Sequence, residues 1–168
     1  MEEILRDYGQ AIDSGKGGLL FSVVGGKMSE GINFNDNLGR GVIMIGLPFP
    51  NSQSAEWRAR LQHVEKVAAD NCPVSEPPSV RSEIAKTAGR EFYENACMRA
   101  VNQSIGRAIR HQQDYAVIVL LDQRYSLPRI TKKLPKWIRE SVEKRPFTEL
   151  MSGTGKFFRA KAVVLETN

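Results

Sequence analysis

Three short apolar runs constrain the fold more than any other feature: Leu19-Leu20-Phe21-Ser22-Val23-Val24, Val42-Ile43-Met44-Ile45 and Tyr115-Ala116-Val117-Ile118-Val119-Leu120-Leu121. Each has the length and β-branched composition of a buried strand. The first ends at Gly25-Gly26, and the second at Leu47-Pro48-Phe49-Pro50, where proline cannot donate to a ladder. Between the second and third lies sequence with helical spacing. Residues 54–70 put Trp57, Leu61, Val64 and Val67 on one stripe, and helix resumes near Ser82, with Gly89 a candidate interruption. Strands separated in this way have room for the crossover that parallel pairing requires. The expectation is an α/β fold with a small parallel sheet flanked by helices. Residues 2–13 add an amphipathic helix through Ile4, Leu5, Tyr8 and Ile12, and residues 72–80, with three prolines, read as a loop. Helices are expected again at 134–142, where Trp137 packs with Leu134 and Ile138, and at 147–165.

At 168 residues the chain can bury a real core. No apolar run approaches a membrane span, and the opening Met1-Glu2-Glu3-Ile4-Leu5-Arg6 lacks the layout of a signal peptide. Cys72 and Cys97 stand far apart without metal-type spacing, so both are expected to be free thiols in a reducing compartment. The formal charge is +5, and residues 107–145 carry ten Lys or Arg against four acids. A polyanionic partner and a solvated face both fit that excess.

Two stretches carry candidate chemistry. Gln103, Arg107 and Arg110 recur at i, i+4 and i+7, which on a helix makes one stripe of an amide and two guanidiniums. Guanidiniums stay charged and present a rigid fork that suits phosphate oxygens. A solvated basic helix face has the same pattern, and spacing alone leaves both readings open. In the second stretch, residues 23–34, a strand runs into paired glycines and then Ser29-Glu30-Gly31-Ile32-Asn33. Such a strand end becomes a ligand-facing loop in open α/β sheets. A tight turn capped by Ser29 is the equal alternative.

Other chemistry fails on inspection. A phosphate-cradling lysine loop needs G-x-x-x-x-G-K-[ST]. Gly15-Lys16, Gly26-Lys27 and Gly155-Lys156 are followed by Gly17, Met28 and Phe157, and none has the first glycine. No DEAD- or DEAH-like acidic run occurs. His63 and His111 stand apart, so neither a triad nor a metal cluster is indicated.

Taken together, Gly26-Lys27-Met28-Ser29-Glu30-Gly31-Ile32-Asn33-Phe34 and Gln103-Ser104-Ile105-Gly106-Arg107-Ala108-Ile109-Arg110 resemble motifs V and VI of superfamily-two DNA helicases, in particular the XPD-like iron–sulfur branch. Leu121-Asp122-Gln123-Arg124-Tyr125 and Leu134-Pro135-Lys136-Trp137-Ile138 resemble further elements of that branch, in the same order. With Leu47-Pro48-Phe49-Pro50-Asn51, the wording is most similar to the DEAH-type chromosome-loss helicases of sister-chromatid cohesion. The telomere-length-regulating and Fanconi-anaemia helicases are near relatives. The resemblance covers roughly residues 18–145.

It implies the second RecA-like motor domain of a longer helicase, truncated at its N-terminal edge, occupying residues 1–145, with 146–168 a helical extension. Gln103, Arg107 and Arg110 would face ATP, the two arginines acting as catalytic cations. Gly31 and Asn33 would lie near the nucleotide sugar, and Glu30 would tie that loop to the arginines. Asn33 stands where the family more often has Asp, a neutral amide that still accepts from a hydroxyl. Lys27 and Ser29 would touch the tracked DNA strand, with Arg124 a further candidate, although Asp122 and Arg124 would also clamp the strand end beside motif VI. Arg129, Lys132, Lys133, Lys136 and Arg139 would extend a phosphate-tracking surface. ATP and Mg2+ would be shared with the first motor domain, and a 4Fe–4S cluster would belong to the parent protein alone. Implied partners are single-stranded and forked DNA, that first RecA-like domain, and cohesin and replisome factors, in the nucleus. Without its own lysine loop, the fragment would be inactive by itself. The rival reading is a non-catalytic nucleic-acid or protein-binding module using the same arginine face.

Overall fold

Parallel pairing is realised by two strands, β1 (Gly41–Ile45) and β2 (Val117–Leu121), in the register Gly41↔Val117 to Ile45↔Leu121. The computed structural model describes residues 2–26, 34, 36–109 and 114–166, with side chains to 163. The chain forms two compact units, residues 1–134 and 135–168.

In the first unit, helix α1 (Glu2–Asp13) comes first in the chain, and a 3-10 turn, Asp36–Gly39, comes just before β1. Gly39 is required there: a Cβ would lie 2.2 Å from the Phe34 carbonyl oxygen. The crossover from β1 to β2 is a helical hairpin. Helix α2 (Ala55–Asp70) starts at Ser54, whose hydroxyl accepts from the Trp57 amide at 3.3 Å, satisfying one orphan donor of the first turn. Helix α3 (Pro78–Ile105) runs unbroken for 28 residues.

Three expectations change here. Residues 78–80 form the first turn of α3 instead of loop, because proline at the first helical position loses no hydrogen bond. Gly89 does not interrupt α3. It is a packing notch, since a Cβ there would meet the Glu65 side chain of α2 at 2.5 Å. Residues 19–24 form no strand: Leu19, Phe21 and Val23 are exposed, and the sheet described has only two strands. Their continuous apolar run calls for cover, but a strand also needs a ladder partner.

Cys97, Met98, Val101 and Ile105 form the buried stripe of α3, joined by Met44, Leu47, Ala108, Tyr125, Ile130 and Leu134. After β2, a 3-10 turn (Gln123–Ser126) and a single helical turn, α4 (Pro128–Thr131), fold back along α3. Glu94, buried on α3, receives the Arg129 Nε at 2.7 Å, and Asn102 Nδ2 donates to the Lys133 carbonyl at 2.9 Å.

The second unit holds one short turn, α5 (Lys136–Arg139), and a 20-residue helix, α6 (Phe147–Glu166). The helix expected at 134–142 is thus one turn long, after Pro135. On so short a turn Trp137 and Ile138 point different ways, and Trp137 is 49% exposed while Ile138 is buried. Among the described residues, no helix is long and apolar enough to cross a membrane.

Candidate functional site

Helix α3 runs antiparallel to the strands, and this sorts the candidate residues between two ends of the sheet. Near the carboxyl ends of the strands, Tyr93 donates to the Pro50 carbonyl and stacks on Phe49 at 5.0 Å. Trp57 packs against Phe92 and Tyr93 at 5.9 and 6.0 Å. Asp122 and Arg124 belong to the same end. Arg124 Nε and Nη2 donate to Asp122 at 2.9 and 2.7 Å, and the Arg124 amide donates to Oδ1 at 2.8 Å. These side-chain and backbone hydrogen bonds lower the Asp122 pKa to about 2. The guanidinium lies 5.6 Å from the Phe49 ring centroid. Behind it, burial raises Cys97 to about 11 and Tyr125 to about 12.

The other end carries the arginine motif. The last turn of α3 tightens at Gly106, where Arg107 and Ala108 donate back to Ser104 and Ile105 at 3.4 and 3.1 Å. The helix therefore stops before Arg107, and the expected continuous helical stripe is corrected to a helix end followed by a turn. Gln103 is exposed on the final helical turn and Arg107 is half-buried just past it. From Cys97, beside Asp122 and Arg124, to Ile105 the helix advances roughly 12 Å. Arg124 and Arg107 are therefore not brought together, which corrects the expected clamp beside motif VI. Lys27, Ser29, Glu30, Gly31, Asn33 and Arg110 lie outside the described residues.

Gln103 also lines an open cleft of about 450 Å³ with Asn95, Met98, Arg99, Asn102 and Lys133. Of the expected basic surface, Arg129 is held by Glu94 and Lys133 donates to Asn95, while Lys136 lies 3.8 Å from Glu140.

A constellation that sequence reading missed pins the strands' amino ends. Arg40 Nη1 donates to Asp114 Oδ1 at 2.6 Å and to the Tyr115 carbonyl at 2.9 Å, and its guanidinium carbon sits 3.9 Å from the Tyr115 ring centroid. The Asp114 side chain is fully buried. The available signal was a charged residue before the second and third apolar runs: Arg40 before Gly41, and Asp114 before Tyr115.

The group implied by the motifs is a nucleoside triphosphate with Mg2+. The donor set at the end of α3, an exposed amide and a guanidinium, fits phosphate oxygens. A helix carboxyl terminus repels anions through its own dipole, so side-chain cations must supply the attraction. Among the described residues no cluster of carboxylate, histidine or thiol ligands suits a metal, so that donor set fits the phosphate and not the ion. Cys72 and Cys97 are buried free thiols.

A parallel strand pair crossed over by a helical hairpin, with an arginine turn at its amino end, defines an α/β domain of the RecA-like motor class. The chain belongs to the helicase C-terminal domain family, whose pattern matches residues 1–141. It is 57% identical to the ATP-dependent DNA helicase chl1 of Aspergillus clavatus, over 95% of this chain and 22% of that protein. It is 51% identical to the protein of that name in Schizosaccharomyces pombe, over 95% of this chain and 18% of the relative. With Yarrowia lipolytica the identity is 48%, over 94% and 20%. The chain thus spans about a fifth of the length of these relatives. The resemblance read from residues 26–34 and 103–110, to the chromosome-loss group of XPD-like helicases, is borne out.

Proposed function

We propose that this chain supplies the arginine side of the nucleotide cleft in an ATP-dependent DNA helicase of replication-linked genome maintenance and sister-chromatid cohesion, acting in the nucleus. The observation that carries the reading is Arg107, set in the tightened turn that closes α3 just past the exposed Gln103 amide. Arg107 and Arg110 bind the terminal phosphate and stabilise charge as it develops, while Gln103 orients. Phosphoryl transfer leaves the protein little covalent work, so cations delivered by a second domain on closure supply much of the rate. Bound ATP with Mg2+ supplies the transferable phosphoryl group, and the lysine loop and metal-binding acid come from the first motor domain of the parent. Gly31 and Asn33 contact the sugar, and Glu30 holds the loop to the arginines. Lys27 and Ser29 meet phosphates of the tracked single strand, and Arg124, whose side chain is 47% exposed beside Asp122, offers its remaining donors to nucleic acid. The parent carries the 4Fe–4S cluster outside this chain. It works on single-stranded and forked DNA with cohesin and replisome factors, and the family domain ends near residue 145.

In the full-length enzyme, Arg107→Ala and Arg110→Ala are expected to lower DNA-stimulated ATP turnover by about 10³-fold or more, with single-strand affinity nearly unchanged. Joint loss of turnover and DNA binding would make these arginines structural. DNA-stimulated turnover from the pure fragment would overturn the division of labour.

A further inference from the structure

Most of the open cleft along α3 is built from side chains that the proposed nucleotide site does not use. Asn95, Arg99 and Gln103 recur at i, i+4 and i+8 and are all exposed, so they form one column along roughly 12 Å of helix. Met98, only 1% exposed, lines the cleft beside them. Lys133 runs alongside: its carbonyl accepts from Asn102 Nδ2 at 2.9 Å and its ammonium donates to Asn95 Oδ1, so one residue spans two turns of α3. No carboxylate is among the lining residues, and the charged ones, Arg99 and Lys133, are both cations.

The unspent hydrogen-bonding capacity of this lining is mixed. Arg99 and Gln103 have no side-chain hydrogen-bond partner among the described residues, and Asn102 Oδ1 is buried without a donor there. Lys133 keeps two of its three donors, and the Asn95 amide keeps its own. Each amide offers an oxygen as well as an NH2, so a ligand that only accepts would leave those oxygens facing its own. A phosphodiester is such a ligand. Nucleobases carry donors, but single strands are held by stacking on aromatic rings, and no aromatic side chain lines the cleft. A polypeptide segment offers N–H and C=O in turn, and four extended residues cover about 13 Å, close to the length of the column. Carboxylate side chains on such a segment also answer the two cations.

We propose that this cleft is a docking site for an acidic segment of a separate protein: its carboxylates pair with Arg99 and Lys133, while its main-chain groups exchange hydrogen bonds with the amides of Asn95 and Gln103. Met98 supplies an adaptable apolar floor. The site stands whether or not Arg107 and Arg110 serve ATP.

The test uses the full-length helicase without nucleotide and, as probe, a fluorescein-labelled, end-capped hexaglutamate peptide. Binding is read by anisotropy, and carbodiimide coupling followed by mass spectrometry locates the contact. Hexaglutamate is expected to bind and to couple to Lys133, and hexaglutamine to do neither. Arg99→Gln and Lys133→Gln should each weaken binding by about three- to five-fold, the worth of one solvent-exposed ion pair. Lys66→Gln removes the same charge from an exposed position on α2 and should stay within about two-fold of wild type, because salt screens distant charges. Equal affinity in wild type, Arg99→Gln and Lys133→Gln would overturn the proposal, as would equal binding of hexaglutamine. A matching loss of oligo-dT affinity in Arg99→Gln would give the cleft to the single strand instead. Displacement of the probe by equimolar inorganic phosphate would reduce it to an anion site. Coupling of Lys133 to a carboxylate elsewhere in the helicase, before probe is added, would make the occupant internal. Each of these three results sinks the separate partner. Should Arg99→Gln not fold, the Lys133→Gln affinity decides.

Discussion

The Tyr125 hydroxyl donates to the Gly46 carbonyl at 3.1 Å, across 79 residues of sequence. Gly46 in turn donates to the Leu121 carbonyl at 3.1 Å, so the carboxyl ends of both strands close on one phenol. Gly46 turns there with φ +76°, a conformation that other side chains resist.

Tyr125→Phe removes that donor and strands a carbonyl beside a side chain only 7% exposed. The expected cost is about 1–2 kcal/mol, read as a lower urea midpoint with unchanged m. A change in m would mean that the variant perturbs more than this bond.

At the α2–α3 contact, Gly89→Ala sets two effects against each other. Alanine gains roughly 1 kcal/mol of helix propensity, but its Cβ would lie 2.5 Å from Glu65 Oε1 and 2.8 Å from Glu65 Cγ. Gly89→Ala is therefore expected to be close to neutral alone and to stabilise by about 1 kcal/mol in a Glu65→Ala background. Equal effects in both backgrounds would show that the two positions do not compete for space.

Acid should weaken the carboxyl edge through Asp122. Its pKa is depressed to about 2 by the Arg124 hydrogen bonds, so its stabilisation is complete above the unfolded carboxylate range and is lost as pH falls toward 2. Tm measured from pH 5 down to pH 2 should drop more steeply in wild type than in Asp122→Asn. Parallel curves would assign the acid sensitivity to other carboxylates.

Several elements were readable before the fold was known. Helices α1, α2 and α6, both strands and their parallel pairing follow from apolar spacing, since burying one face imposes its own period. The misses share a cause: each depended on a partner that spacing does not encode. Residues 19–24 have the length and apolar content of a strand but no neighbouring ladder among the described residues, and Gly89 looked like a breaker until Glu65 supplied the reason for a missing Cβ. The end of α3 turned on Gly106 and two backbone bonds that reach back three residues, which a count of i+4 positions passes over. Arg107 was found by its motif; Arg40 and Asp114, 74 positions apart, were not, because they form a pair only after β1 and β2 align.

Helix α3, at 28 residues, is a rod of about 42 Å with its sole proline in the first turn. Such a rod pivots rather than bends. Tyr93, fastened to Pro50, is a natural fulcrum, and Ile105 lies twelve residues beyond it. A tilt of about 5° there sweeps the far end through roughly 1.6 Å, given 1.5 Å of rise per residue. The aromatic corner at one margin of the sheet is thus the fulcrum of a lever, one arm of which ends beside Arg107.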